Sequence, residues 1–186
     1  KVDLANKLGI TAFNNGSQDP VAFVKEQTKG VGADGVVITA SANTDQIISD
    51  AANMCRIRGR VVLVGVIGLN LNRSDFYTKE ITFQVSCSYG PGRYDNNYEG
   101  KGIDYPIGFV RWTEKRNFET ILNLIASKTL DVSSLITDRI DFANFDKIYG
   151  DMGASNSIAS LLKYSTDKID VSDSIRTIND KQFVGA

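Results

Sequence analysis

The chain has 186 residues, 42% of them hydrophobic and 23% charged, with a formal net charge of −1. That composition suits one globular domain with a sizeable core, and the near-neutral balance gives no field to gather nucleic acid or an anionic membrane. No histidine occurs, which removes Ser/His and Cys/His nucleophile pairs and imidazole metal ligands, and no stretch has the layout of a membrane span or signal peptide.

Residues 1–8 read as a helix, with Val2, Leu4, Ala5 and Leu8 apolar and Gly9 as a stop. No capping segment precedes it, so it is read as the continuation of a larger fold. Residues 10–13 form a strand candidate, and Asn14-Asn15-Gly16-Ser17 a turn. Asp19 then caps a helix with Pro20 at its first position, running to Thr28.

The centre of the chain is residues 34–66. An apolar run over 35–40 leads through small residues into a helical pattern, and a second apolar run follows over 61–66. Strands that are apolar on both faces belong inside a parallel sheet with helices on each side. Ile47, Ile48, Ala51, Ala52 and Cys55 fall at helical spacing, with Asn43 and Gln46 spaced as a capping box. Both strands end in small residues, Thr39-Ala40-Ser41 and Val64-Gly65-Val66. Ligands of open α/β sheets sit beyond the carboxyl ends of the strands. Cys55 and Cys87, the two cysteines, lie in apolar contexts. They are expected as buried free thiols of a cytoplasmic protein, and are too few for a usual zinc site.

Residues 69–73, opened by Leu69 and closed by Arg73, read as a short edge strand. A helical turn over 74–79 and an alternating strand over 81–88 follow. Residues 89–105 are rich in Gly and Tyr, too polar for a buried strand and too glycine-rich for a helix. A helix over 114–127, capped by Thr113, carries the apolar stripe Phe118, Ile121, Leu122 and Ile125. A short extended piece over 131–136, a helix around Phe145, Ile148, Tyr149 and Met152, and a strand over 157–164 complete the organised part. Residues 165–186 read as a linker or tail.

Taken in order, GADGVVITA before a helix, GRVVLVGV, and LDVSSLIT before a further helix resemble the zinc-type medium-chain alcohol dehydrogenases. The resemblance covers 1–164 and implies the later part of their nucleotide-binding domain. The fold implied is α/β: a partial Rossmann-like parallel sheet with helices on both faces, lacking the first βαβ glycine-rich unit. The segment from Ser86 to Asn117, with a Tyr/Gly-rich insertion over 89–112, resembles bidomain oxidoreductases fused to a second domain of the glucose-fructose oxidoreductase type. The tail then leads toward that second domain.

The resemblance implies a fragment of an NAD(P)-dependent oxidoreductase of the alcohol, polyol or sugar dehydrogenase type. Lys1 falls near the adenosine ribose. Thr39, Ala40 and Ser41 match the loop by the nicotinamide ribose. Val64, Gly65 and Val66 match the loop against the carboxamide, and Ser86, Cys87 and Ser88 close on the same amide. NAD or NADP is the implied cofactor; zinc is a feature of the family, with no ligands in this chain. The implied homodimer pairs through the edge strand from Leu69 to Arg73. No G-x-G-x-x-G occurs, so the pyrophosphate turn is missing. The position where some alcohol dehydrogenases hold a phosphate-contacting arginine is Ala159. The chain alone is therefore expected to bind the dinucleotide poorly and not to catalyse.

Tyr89, Arg93, Tyr94, Tyr98, Tyr105 and Arg111 have three readings: lining a site for a sugar-related substrate, docking the fused second domain, or holding a surface loop. Two further readings of the whole chain stay open. One is a non-catalytic dimerisation module of a fused enzyme; the other is a methyltransferase-like Rossmann domain.

Overall fold

The computed structural model describes residues 1–150 and 157–165. The chain divides into two compact units, Lys1–Glu119 and Thr120–Ala186.

The first unit is built on a three-stranded parallel sheet of order β1-β2-β3. Its strands are β1 (Ala33–Ile38), β2 (Cys55–Leu63) and β3 (Thr82–Val85). Val36 pairs with Val61, and Val61 with Phe83. These residues share one face because side chains alternate along a strand. Helix α3 (Gln46–Met54) crosses between β1 and β2 and buries Ile48, Ala51 and Ala52. With Ile38, Cys55, Val61 and Leu63 they make the core. Val37, one step along β1, is 63% exposed, so the opposite face is open there.

Helix α1 (Val2–Lys7) and helix α2 (Pro20–Gln27) precede the sheet. The Asp19 carboxylate accepts from the Val21 N–H at 2.9 Å, and Pro20 has no N–H to leave unsatisfied. The expected strand over 10–13 is absent. A strand needs a ladder partner, and here the backbone is satisfied locally. The Ile10 N–H donates to Ala5 O at 3.0 Å, and the Ala12 N–H to Asn6 Oδ1 at 2.9 Å. The Asn43/Gln46 capping box does not form either. Asp45 stands at the N-cap without a side-chain bond to the helix it opens, and Thr44 Oγ1 accepts from the Gln46 N–H at 3.2 Å.

The C-terminus of α3 is closed by a distant lysine. Lys79 Nζ donates to the carbonyls of Ala52, Asn53 and Cys55 at 3.1, 2.9 and 3.1 Å. Those are the orphan acceptors every helix end leaves. Helix α4 (Arg73–Tyr77) begins after Asn72, whose side chain accepts from the Ser74 N–H. The edge strand expected from Leu69 to Arg73 is thus not formed. Residues 69–72 join no ladder, the Asn70 N–H donates to Asp45 Oδ1 at 2.9 Å, and Arg73 opens a helix. The dimer pairing expected there has no preformed strand to extend.

Helix α5 (Asn96–Glu99) lies inside the tyrosine-rich segment, and α6 (Glu114–Ala126) follows it. Thr113 caps α6 only through its backbone, its carbonyl accepting from the Asn117 N–H at 2.9 Å. The Thr113 hydroxyl is buried with no partner among the described residues. The α6 stripe expected to be buried is exposed: Phe118 by 63%, Leu122 by 63%. Helical periodicity identifies the side that would face a core; it does not supply the surface that covers it.

The second unit holds a parallel pair, β4 (Ile136–Asp141) and β5 (Ala159–Lys163), with a short helix α7 (Asp146–Tyr149) between them in sequence. Phe142 stacks on Tyr164 at 4.6 Å and on Phe145 at 5.9 Å. Met152, expected in this helix, and the tail beyond Ser165 lie outside the described residues. Among the described residues no helix is long and apolar enough to cross a membrane.

Candidate functional site

In parallel strands all carboxyl ends share one edge of the sheet. At that edge β1 and β2 are fastened together beyond their ladder. The Val64 and Gly65 N–H groups both donate to Ile38 O at 2.9 Å, and the Val66 N–H donates to Ala40 O at 3.1 Å. The Ala42 N–H returns to Val66 O at 2.9 Å, and Ser41 and Val66 form an isolated parallel bridge. The seam depends on Gly65: a Cβ there would lie 2.0 Å from Ala40 O. Gly68 closes the next turn, where a Cβ would meet Asp45 Oδ1 at 2.1 Å.

Thr39, Ala40 and Ser41 therefore share one surface with Val64, Gly65 and Val66. Val64 is 53% and Val66 74% exposed, apolar walls on a wet edge. Ser86 joins them, its N–H donating to Leu63 O at 2.8 Å. Cys87 and Ser88 follow past the ladder, and both are exposed. Ser88 has φ 43°, a left-handed conformation that turns the chain into the next loop. Cys87 is thus an exposed free thiol rather than a buried one, because the strand ends before it; Cys55 is buried and free. Burial pushes the Cys55 thiol above its ordinary range, against the lowering pull of Lys79 and Arg56. Lys1 is exposed ahead of α1, and among the described residues no side-chain hydrogen bond or ion pair joins it to this edge.

The tyrosine-rich segment after β3 is held from within. Glu99 accepts from Tyr89 Oη and is ion-paired with Arg93. Asp95 accepts from Tyr105 Oη at 2.5 Å and caps α5 at the Asn97 N–H. Tyr98 stacks on Tyr105 at 5.7 Å and sits 6.2 Å from Tyr89. Gly92, with φ 98°, admits the Tyr98 ring, since a Cβ would come within 2.5 Å of it. Arg116 reaches from α6 to Asp104 at 2.9 Å and to the carbonyls of Tyr105 and Val110.

Of the six singled-out residues, Tyr89, Arg93, Tyr98 and Tyr105 are engaged inside the loop. Tyr94 is 78% exposed beneath the Arg93 guanidinium, and Arg111 lies 4.9 Å over Trp112. Sequence reasoning missed Asp95, Glu99, Asp104 and Arg116. The one local signal was Asp95 two residues before the Asn97 N–H it caps.

This network has a pH signature. Hydrogen bonds from Tyr89 and Arg93 hold the Glu99 carboxyl below its ordinary value, and those from Tyr105 and Asn97 do the same for Asp95. Desolvation, then the bond to Glu99, pushes the Tyr89 phenol up to about 12. Depressed acids contribute stability above their unfolded values and lose it as pH falls through the folded ones. A raised phenol contributes below its unfolded value, 10.0, and loses it as pH rises through the folded one. The loop is therefore expected to stay closed between about pH 5 and pH 10 and to loosen on both sides. Fluorescence of Trp112, the one tryptophan in the chain and the last residue of this segment, is the readout of its loosening. A flat signal through the acid limb would refute the Glu99 and Asp95 assignments.

Among the described residues no group of three His, Cys, Asp or Glu side chains could hold a metal ion. Residues 1–100 match the protein family described as zinc-binding dehydrogenase. The fold is similar to that of 2R,3R-butanediol dehydrogenase from Bacillus subtilis, at 19% identity and TM-score 0.63, over 87% of this chain and 40% of that one. Alcohol dehydrogenase TADH from Thermus sp. ATN1 matches at 20% identity and TM-score 0.62, over 87% and 40%. Benzyl alcohol dehydrogenase from Acinetobacter calcoaceticus matches at 18% and 0.63, over 88% and 40%. The chain thus spans about two fifths of the length of these structures. No curated protein matches the sequence.

Proposed function

Because this chain belongs to the zinc-binding dehydrogenase family, we propose that its strand ends form the nicotinamide-side wall of an NAD(H) or NADP(H) site in an oxidoreductase. The observation that carries this is the seam at the carboxyl edge. Thr39, Ala40 and Ser41 are fastened to Val64, Gly65 and Val66 through backbone bonds, with the valines exposed. A flat ring carrying an amide fits such a surface: small residues let it approach, apolar walls take its face, and remaining backbone groups meet the amide. Ser86, Cys87 and Ser88 would bound the same ring from the next strand.

The nicotinamide, when bound, supplies the hydride chemistry; this chain's residues supply position and exclude water. None of them is assigned a catalytic role. The donor set does not fit zinc, with no histidine and a single exposed cysteine, so no step runs through that metal.

Nicotinamide mononucleotide isolates this half of the cofactor. At millimolar concentration it is expected to shift the backbone amides of Ala40, Ser41, Val66 and Ser86 in ¹⁵N-correlated NMR, while adenosine monophosphate leaves them in place. Equal shifts from both, or shifts only with S-adenosylmethionine, would remove the reading.

A further inference from the structure

We propose a second binding site, at the amino-terminal ends of β2 and β3, for an amphipathic organic anion: a carboxylate carried on a flat apolar body. Strand direction places it at the opposite end of the sheet from the nucleotide edge. A hollow of about 1060 Å³ opens there between the start of β2, helix α4 and the approach to β3.

Its wall is apolar and wet. Ile57 and Tyr77 line it and are each 65% exposed, and Leu71 is 42% exposed. Ile81 and Phe76 also line the hollow and pack from there against the core. Side chains of this kind gathered around one concavity mark a surface that gains by being covered.

Its charge is cationic and part of that charge is uncommitted. Arg58 is ion-paired with Glu80 at 2.5 Å. Arg73 stands 3.8 Å over the Tyr77 ring and has no carboxylate partner among the described residues. A guanidinium stacked on a ring keeps its N–H edge free for a bidentate carboxylate. Two arginines against one glutamate select against a cationic ligand.

The backbone supplies a third, independent observation. Arg58 and Glu80 both have positive φ, 57° and 51°, and both line the hollow. The Arg58 N–H donates to Lys79 O at 2.6 Å, one residue before Glu80, and the Arg58–Glu80 ion pair joins the two positions directly. Non-glycine residues in this conformation persist where the surroundings enforce them, and they gather at ligand sites. Glu80 then acts as an internal competitor, holding Arg58 while Arg73 remains for the ligand.

The test uses 2-naphthoate and its uncharged analogue 2-naphthylmethanol, titrated into the chain by calorimetry with far-UV circular dichroism on every variant. Naphthoate is expected to bind about tenfold more tightly, the equivalent of one charge-assisted hydrogen bond. Arg73→Met keeps the apolar stem and is expected to abolish that preference. Glu80→Gln releases Arg58 and is expected to tighten naphthoate binding. Should Glu80→Gln fail to fold, the exposed Arg73→Met variant still decides. Equal affinity for both ligands, no binding by the unaltered chain at millimolar concentration, or a preference that survives Arg73→Met would overturn the proposal. Displacement of naphthoate by nicotinamide mononucleotide would overturn the separateness of the two sites.

Discussion

Replacing Gly65 with alanine is expected to lower the unfolding midpoint by roughly 10 °C, corresponding to about 3 kcal/mol in a chain of this size. The added Cβ would lie 2.0 Å from Ala40 O and 2.8 Å from both Ala40 C and Thr39 C. These are backbone atoms, so no side-chain rotation relieves the contact. The two strands must separate at the edge, breaking the bonds from Val64, Gly65 and Val66 to β1 and its loop. Gly108→Ala is the control, because nothing lies within 4 Å of a Cβ there, and it is expected to stay within about 0.5 kcal/mol of the parent. Thermal unfolding of both checks the pair. If Gly65→Ala melts with Gly108→Ala, the seam is not a constraint. The same variant is expected to lose the nicotinamide mononucleotide shifts, since the surface proposed to receive the ring is the one pushed apart.

Lys79→Met is expected to cost about 2 kcal/mol. Methionine fills the lysine stem's volume but donates nothing, so the carbonyls of Ala52, Asn53 and Cys55 lose their shared donor. All three belong to the last turn of α3 or the residue that ends it, and α3 carries much of the core. Lys79→Arg is expected to recover little, because a planar fork does not reproduce three bonds converging on one nitrogen. Urea unfolding separates the outcomes: a Lys79→Met midpoint unchanged at constant slope would refute the clamp.

The parts of the fold that rest on local chemistry were legible in the sequence. Asp19-Pro20 starts a helix whatever surrounds it, and the apolar runs over 35–40 and 61–66 announced the parallel pair β1 and β2, although Val37 shows that one face of β1 is open rather than covered. The parts that rest on partners were not. Residues 10–13 have strand composition, yet no described strand pairs with them. The stripe from Phe118 to Ile125 has the right period for burial and is exposed. Residues 69–72 have an edge pattern without a ladder.

The candidate site divides the same way. Small residues at the strand ends pointed to Gly65 and Ser41. Arg93 and Tyr98 read as free recognition groups because nothing local showed that Glu99 and Tyr105 engage them. Lys79 was invisible as a helix clamp: its three acceptors lie 24 to 27 residues away in sequence, beyond the reach of any capping pattern.

The seam between the β1 and β2 loops also has a kinetic meaning. Five amide protons, from Ala42, Val64, Gly65, Val66 and Gly68, are held by acceptors on this joint. They should exchange with solvent together, at a rate set by one opening event, although several of these residues are exposed. Two loops that open only together move as one lever. On the proposed reading, adjustment to a ring of different tilt would fall on the third strand end, where the Ser86 N–H donates to Leu63 O and Ser88 turns away. Two sides of the proposed nicotinamide wall would act as a fixed jaw and one as the moving part.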